Sequence, residues 1–117
     1  VASATREDYA EAIAAVLAQD GHAGQTYELS GDVAWSFDEL AAALTEVLDR
    51  EVTYRRLTPE QHLAELERTG VDESTARFLV ALDANIEDGA LDLVTGDLSR
   101  LLGRRTTALV DALRAMR

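Results

Sequence analysis

A chain of 117 residues has room for one ordinary domain with a modest core, and 47% hydrophobic with 28% charged residues is the make-up of a folded globule. Its 11 basic and 22 acidic residues give a formal net charge of −11, which repels phosphate backbones and anionic lipid heads, so nucleic acid and membrane surfaces are poor partners. The absence of cysteine removes disulfides, thiolate nucleophiles and Cys-based metal sites. No apolar run approaches the roughly 20 residues of a membrane span, and no basic-then-apolar leader opens the chain, so the expected location is cytoplasmic.

The small residues Val1 to Ala4 run straight into a helix signal without a starting methionine, as expected of a segment of a longer chain. Thr5-Arg6-Glu7-Asp8 resembles a capping box with Asp in place of the usual Glu. Tyr9, Ile13, Val16 and Leu17 then recur at helical spacing, giving a helix to about Ala18, and Gly21 and Gly24 form the turn after it. Gln25 to Ser30 alternates in character and predicts a short strand, closed by Gly31-Asp32. Ser36 and Glu39 form a second capping box, with Trp35 and Leu40 at the positions of a hydrophobic staple. Leu40, Leu44, Val47 and Leu48 supply the buried stripe of that helix, and Glu51 to Leu57 reads as a second strand. Strand, helix and strand in some thirty residues predict a right-handed parallel βαβ unit.

Thr58-Pro59-Glu60-Gln61 opens a third helix with a capping Thr, Pro at the first helical position and Gln completing the box; Gly70 ends it. Asp72 caps a fourth, in which Phe78, Leu79, Leu82 and Ile86 share a face up to about Gly89. A short helix over Asp97 to Leu102 follows Gly96, and Thr106 or Thr107 is placed to cap a last helix carrying Leu109, Val110, Leu113 and Met116. The expected fold class is helix-rich α/β in a single domain over 1–117, with a βαβ-containing half over 1–57 and a helical half over 58–117.

Little in this pattern carries chemistry. The glycines stand singly, and neither GxGxxG nor GxxxxGK[ST] occurs, so no turn is built to hold a pyrophosphate. His22 lies in a glycine-containing turn and His62 in the first turn of a helix, and a surface imidazole is the simplest reading of both. Neither Ser30 nor Ser36 sits in an elbow such as GxSxG, and Ser36 already has a capping role. The carboxylate pairs Glu7/Glu11, Asp83/Glu87 and Asp88/Asp92 read as solvated helix faces, and no metal site is expected. Arg55-Arg56 and Arg104-Arg105 are basic doublets that could meet an anion or remain solvated.

Arg6 to Ala10, the G-H-x-G of Gly21 to Gly24, the Y-E-L-x-G of Tyr27 to Gly31, the L-A-x-x-L of Leu40 to Leu44 and the G-R-x-x-T of Gly103, Arg104 and Thr107 together form a recognisable set. The chain resembles the C-terminal part of NmrA-like atypical short-chain dehydrogenases, especially the NAD(P)H-dependent quinone oxidoreductase type. It departs from that family where Arg105 replaces the usual proline, which should leave the backbone freer there. The resemblance implies a parent that passes hydride from NAD(P)H to a quinone-like or carbonyl acceptor. It also implies that the dinucleotide-binding N-terminal half lies outside this chain, so that the chain itself holds no cofactor and is inactive alone. Val1 to Ser3 would then be the remnant of the last large-sheet strand.

On the same resemblance, Tyr9, Trp35, Phe78 and Ile86 are candidates for the substrate pocket, and Arg6 and Asp8 for the junction with the cofactor half; packing alone also accounts for each. The expected partners are the missing Rossmann half or a second copy of the chain, with a small-molecule substrate in the parent. The competing reading is a non-catalytic NmrA-like regulatory or protein-binding module.

Overall fold

The computed structural model describes all of residues 1–117 and contains six helices: α1 (Arg6–Ala18), α2 (Phe37–Leu48), α3 (Pro59–Arg68), α4 (Glu73–Glu87), α5 (Asp97–Leu102) and α6 (Leu109–Ala115). They fall into two compact units, one of Val1–Thr53 with Leu91–Arg117 and one of Tyr54–Ala90. No helix is long and apolar enough to cross a membrane.

In the first unit α1 packs on α5 and α2 on α6. Its buried apolar side chains are mostly small, namely Ala2, Ala12, Ala41, Ala43 and Val47, with Leu98 the one large member. Leu98 and Asp8 are the two large side chains that are fully buried. Helix α1 is apolar on more than its packed face: Ile13 and Leu17, one turn apart, remain 55% and 81% exposed. The capping box of α2 forms in full, Ser36 Oγ accepting from Glu39 N while Glu39 Oε2 accepts from Ser36 N. Arg114 pairs with Glu46 across α6 and α2, and Arg117 Nη1 donates to the Val47 carbonyl at 2.8 Å.

The expected βαβ unit is not formed. Residues 25–30 and 51–57 carry no strand pairing, because each lacks an extended neighbour with which to build a ladder. The boundary between the units also divides the second segment, after Thr53. Side chains take over the hydrogen bonds that a neighbouring strand would make. Glu28 N donates to Asp97 Oδ2 at 2.9 Å, and the Thr95 hydroxyl donates to the Glu28 carbonyl at 2.5 Å. Val52 N donates to Thr45 Oγ1, also at 2.9 Å.

The N-terminal segment is threaded between two others. Ala2 N donates to the Leu91 carbonyl at 2.6 Å, the Ala2 carbonyl accepts from Gly31 N at 2.9 Å, and the Val1 carbonyl accepts from Trp35 N at 3.0 Å. Gly31 is required there, since a Cβ would fall on the Ser3 carbonyl oxygen and lie 2.9 Å from its carbon.

The second unit is a pair of packed helices, α3 and α4, joined by Thr69–Asp72. Local sequence signals set both. Thr58 and Gln61 complete a capping box with Pro59 in the first turn, Gly70 turns the chain at φ +91°, and Asp72 accepts from Thr75 N. Ala76 is its one fully buried side chain, while Phe78 stays 65% exposed. His62 Nδ1 lies 3.5 Å from Asp83 Oδ2, and Glu87 pairs loosely with Arg56. Two of the acids expected on plain solvated faces therefore have cationic or imidazole partners.

Candidate functional site

The most structured polar region lies in the first unit, where the strap Gly103–Ala108 between α5 and α6 is held by two carboxylates. Thr5 Oγ1 caps α1 by accepting from Asp8 N, but Asp8 does not close the box from its side. Its carboxylate turns inward, accepting from Thr107 N at 2.7 Å, from the Thr107 hydroxyl at 3.1 Å and from Arg104 Nη2 at 2.8 Å. Arg104 also donates to Glu11 Oε2 at 2.6 Å. Burial alone would raise the Asp8 carboxyl; the Thr107 amide, Arg104 and the Thr107 hydroxyl outweigh it and hold it below the ordinary carboxylate range.

Asp32 makes the second clamp. It accepts from Thr106 N at 2.8 Å and from the Ser99 hydroxyl, while its own amide donates to Thr106 Oγ1 at 3.0 Å. The Ser99 and Thr106 hydrogen bonds hold its carboxyl below the ordinary range, with a smaller contribution from the nearby Arg105 charge.

Both threonines expected as caps of the last helix are consumed in these clamps. The N-cap of α6 is instead Ala108, with no side-chain cap. The strap backbone is therefore held at Thr106 and Thr107, just after the position where proline was expected, and Arg104 Nη1 donates to the Arg105 carbonyl at 3.0 Å.

Below the strap runs an open groove of about 1280 Å³. The start of α1, the segment Asp32–Trp35, the strap, α2 and α6 surround it. Its apolar surface includes Val33, Trp35, Leu109, Val110, Leu113 and Met116. The Trp35 ring is fixed, its Nε1 donating to Ser3 Oγ at 2.9 Å and its edge meeting Phe37 at a centroid distance of 6.0 Å. Two guanidinium-bearing residues, Arg6 and Arg105, also line the groove.

Of the residues singled out from sequence, Arg6 and Trp35 meet at this groove. Asp8 is buried in the first clamp, and Tyr9 is half-buried on α1 outside the groove lining. Phe78 and Ile86 belong to α4 in the second unit. Asp32 and Ser99 were not among the candidates, while Arg105 stood only in a basic doublet and Thr106 only as a possible helix cap. A polar residue following a glycine, as in Gly31-Asp32, was the one local hint, and it reads equally as a turn. His22 Nδ1 and Tyr27 Oη lie 2.6 Å apart within the G-H-x-G to Y-E-L-x-G stretch, and His22 Nε2 is buried without a partner. No group of acids and histidines is placed to hold a metal ion.

No protein-family model matches the chain. Quinone oxidoreductase 2 of Escherichia coli (strain K12) is 40% identical over 112 residues, covering 96% of this chain and 39% of that protein. The crystal structure of the NADPH-dependent quinone oxidoreductase of Escherichia coli complexed with NADPH superposes with a TM-score of 0.88 at 39% identity, covering 99% of this chain and 41% of that one. Citrobacter sp. triphenylmethane reductase complexed with NADP(H) gives a TM-score of 0.89 at 33% identity, covering 100% of this chain and 41% of that one. The chain thus spans about two fifths of the length of the relatives it matches. Its homologues are the C-terminal part of quinone oxidoreductase 2 and of NmrA-like NAD(P)-binding reductases.

Proposed function

We propose that this chain is the substrate-side part of an NAD(P)H-dependent oxidoreductase acting on a quinone-like or carbonyl acceptor, and that it is inactive on its own. The observation that supports this most is the likeness over 99% of the chain to a reductase solved with NADPH, of which the chain spans 41%. The glycines stand singly and none belongs to a glycine-rich loop opening a helix, which supports placing the pyrophosphate-binding turn in the remainder of the parent. In this reading the dinucleotide is held by the remainder of the parent, and this chain contributes orientation, apolar walls and exclusion of water.

Of the pocket candidates, Tyr9 and Trp35 belong to the first unit and Phe78 and Ile86 to the second; Arg6 is the candidate for the junction, Asp8 being committed to Thr107 and Arg104. The unladdered segment 25–30 and the bare Ile13–Leu17 stripe of α1 are surfaces that the rest of the parent, or a second copy, would cover. Calorimetric titration of NADPH into the purified chain, with a quinone-dependent NADPH oxidation assay on the same sample, tests the proposal. No saturable heat and no turnover are expected. Saturable NADPH binding would move the cofactor site into this chain and overturn the division of labour. A catalytically silent chain that captures a protein partner unrelated to reductases would favour the regulatory-module reading.

A further inference from the structure

We propose that residues 25–30 and the outer face of α1 form a docking edge for a β-sheet in the remainder of the parent, the segment adding to that sheet as an outermost strand. The inference rests on the reading that the chain is part of a longer reductase, and it names what the rest of that protein brings to this surface. The backbone bonding leads to it. Residues 25–30 run without a turn or bend, and successive residues of an extended segment offer their N–H and C=O groups to opposite sides. Glu28 spends both of its groups within the chain, the amide on Asp97 Oδ2 and the carbonyl on the Thr95 hydroxyl. Tyr27 and Leu29 face the other way, and neither their amides nor their carbonyls have a partner. The result is a one-sided edge with two donors and two acceptors at the two-residue spacing of a ladder, which an added strand satisfies.

The helix before it points to the same occupant. Helix α1 leads into the segment through the turn at 21–24, and one of its faces is bare. Ala10, Ile13, Ala14, Leu17 and Ala18 recur at helical spacing and are all exposed. No charge interrupts the stripe from Ala10 to Ala18. A sheet buries its faces under helices, so an edge segment joined to a helix with a bare apolar face fits a sheet rather than a lone peptide.

A second copy of the chain fits this edge poorly. Antiparallel pairing that bonds Tyr27 of each copy to Leu29 of the other sets the two Glu28 side chains directly opposite on one face. That is a like-charge pair, between chains of net charge −11. Sliding the register by one pair in either direction calls on the Gln25 amide or the Gly31 amide, which are already given to the His22 and Ala2 carbonyls. The occupant is therefore a strand of different sequence, uncharged or basic opposite Glu28. The chain spans 41% of the reductase solved with NADPH, so a parent of that kind has the length to supply one.

Amide hydrogen exchange and sedimentation test this on the 117-residue chain, alone and mixed with the separately expressed remainder of Escherichia coli quinone oxidoreductase 2. Alone, the chain should sediment as a monomer, with the Tyr27 and Leu29 amides exchanging about tenfold faster than the Glu28 amide. In the mixture both should slow by about tenfold or more, to the level of Glu28. Leu17→Glu, at a site 81% exposed, should leave the circular dichroism spectrum unaltered and weaken the complex about tenfold. Protection of Tyr27 and Leu29 in the monomer, a dimer whose formation protects them, no complex, or a complex in which they stay exposed would each overturn the proposal. So would a Leu17→Glu chain that binds as tightly as the unaltered one. Quinone-dependent NADPH oxidation in the mixture is read separately. Turnover with both amides exposed would sink the docking edge and leave the oxidoreductase reading standing, whereas protected amides without turnover would do the reverse.

Discussion

The two units of the chain solve the same problem by different means. The helix pair of Tyr54–Ala90 is specified by signals a few residues apart: a box at Thr58 and Gln61, a glycine turn at Gly70 and a cap at Asp72. The other unit is joined by polar contacts between residues 65 to 99 apart, with Asp8 and Asp32 reaching to Ser99 and to the strap, and Thr95 to Glu28 and Ser30. Local boxes define helices but leave the unit with one fully buried side chain, Ala76. Long-range clamps define a surface, and the groove lies where they hold the strap in place. Function in this molecule is best sought where the polar contacts are distant in sequence, because only those fix side chains from separate elements against one another.

Substitutions can break that contrast. Asp8→Ala should cost most, about 3 kcal/mol, because it strands the Thr107 amide in a buried site and frees Arg104. Urea denaturation should show the loss, and hydrogen exchange should show the Thr107 amide deprotected while α3 and α4 are unchanged. Leu98→Ala should follow at about 2 to 3 kcal/mol, removing the one large apolar side chain that is fully buried. Thr58→Ala should cost about 1 kcal/mol and fray the start of α3 without altering the groove, as read by amide chemical shifts. Arg68→Gln breaks a pair with Glu65 on an exposed helix surface and should leave the denaturation midpoint where it was.

Acid should reach both units through lowered carboxyls. Asp8 and Asp32 both titrate below their ordinary range in the folded state. Their contribution is therefore fully present above the unfolded carboxylate pKa of about 4 and is lost as pH falls through the folded values. The strap should loosen over that lower window, and Asp8→Asn should flatten the acid limb of the stability curve. In the helix pair, Asp72 is held at about 2 by bonds from Thr75 and Ser74, so its cap should survive to lower pH than the unfolded value implies. A pH series of hydrogen exchange reads both regions in one sample.

How much of this was legible in the sequence follows the same division. The caps at Ser36, Thr58 and Asp72 and the bounds of α5 could be read, because each is decided by side chains within a turn of the backbone they serve. The segments around Tyr27 and Val52 have strand-like composition, but a strand requires a neighbour, and composition does not say whether the chain supplies one. Asp8 misled for a related reason. Its position three residues after Thr5 fits a box, yet its carboxylate turns to partners about a hundred residues away that offer it a buried site. At the groove, Arg6 and Trp35 were among the candidates, but Arg105 stood only as half of a basic doublet. What separates the two members of the doublet is that Arg104 reaches the buried Asp8 and Glu11, and that is visible only in three dimensions.

In the proposed function the chain completes a reductase whose dinucleotide site lies in the rest of the parent. The most direct test mixes this chain with the separately expressed dinucleotide-binding portion of Escherichia coli quinone oxidoreductase 2 and follows quinone-dependent NADPH oxidation. No turnover is expected from this chain alone, and turnover is expected from the mixture. Turnover by the chain alone, or none from a mixture shown by sedimentation to form a complex, would contradict it.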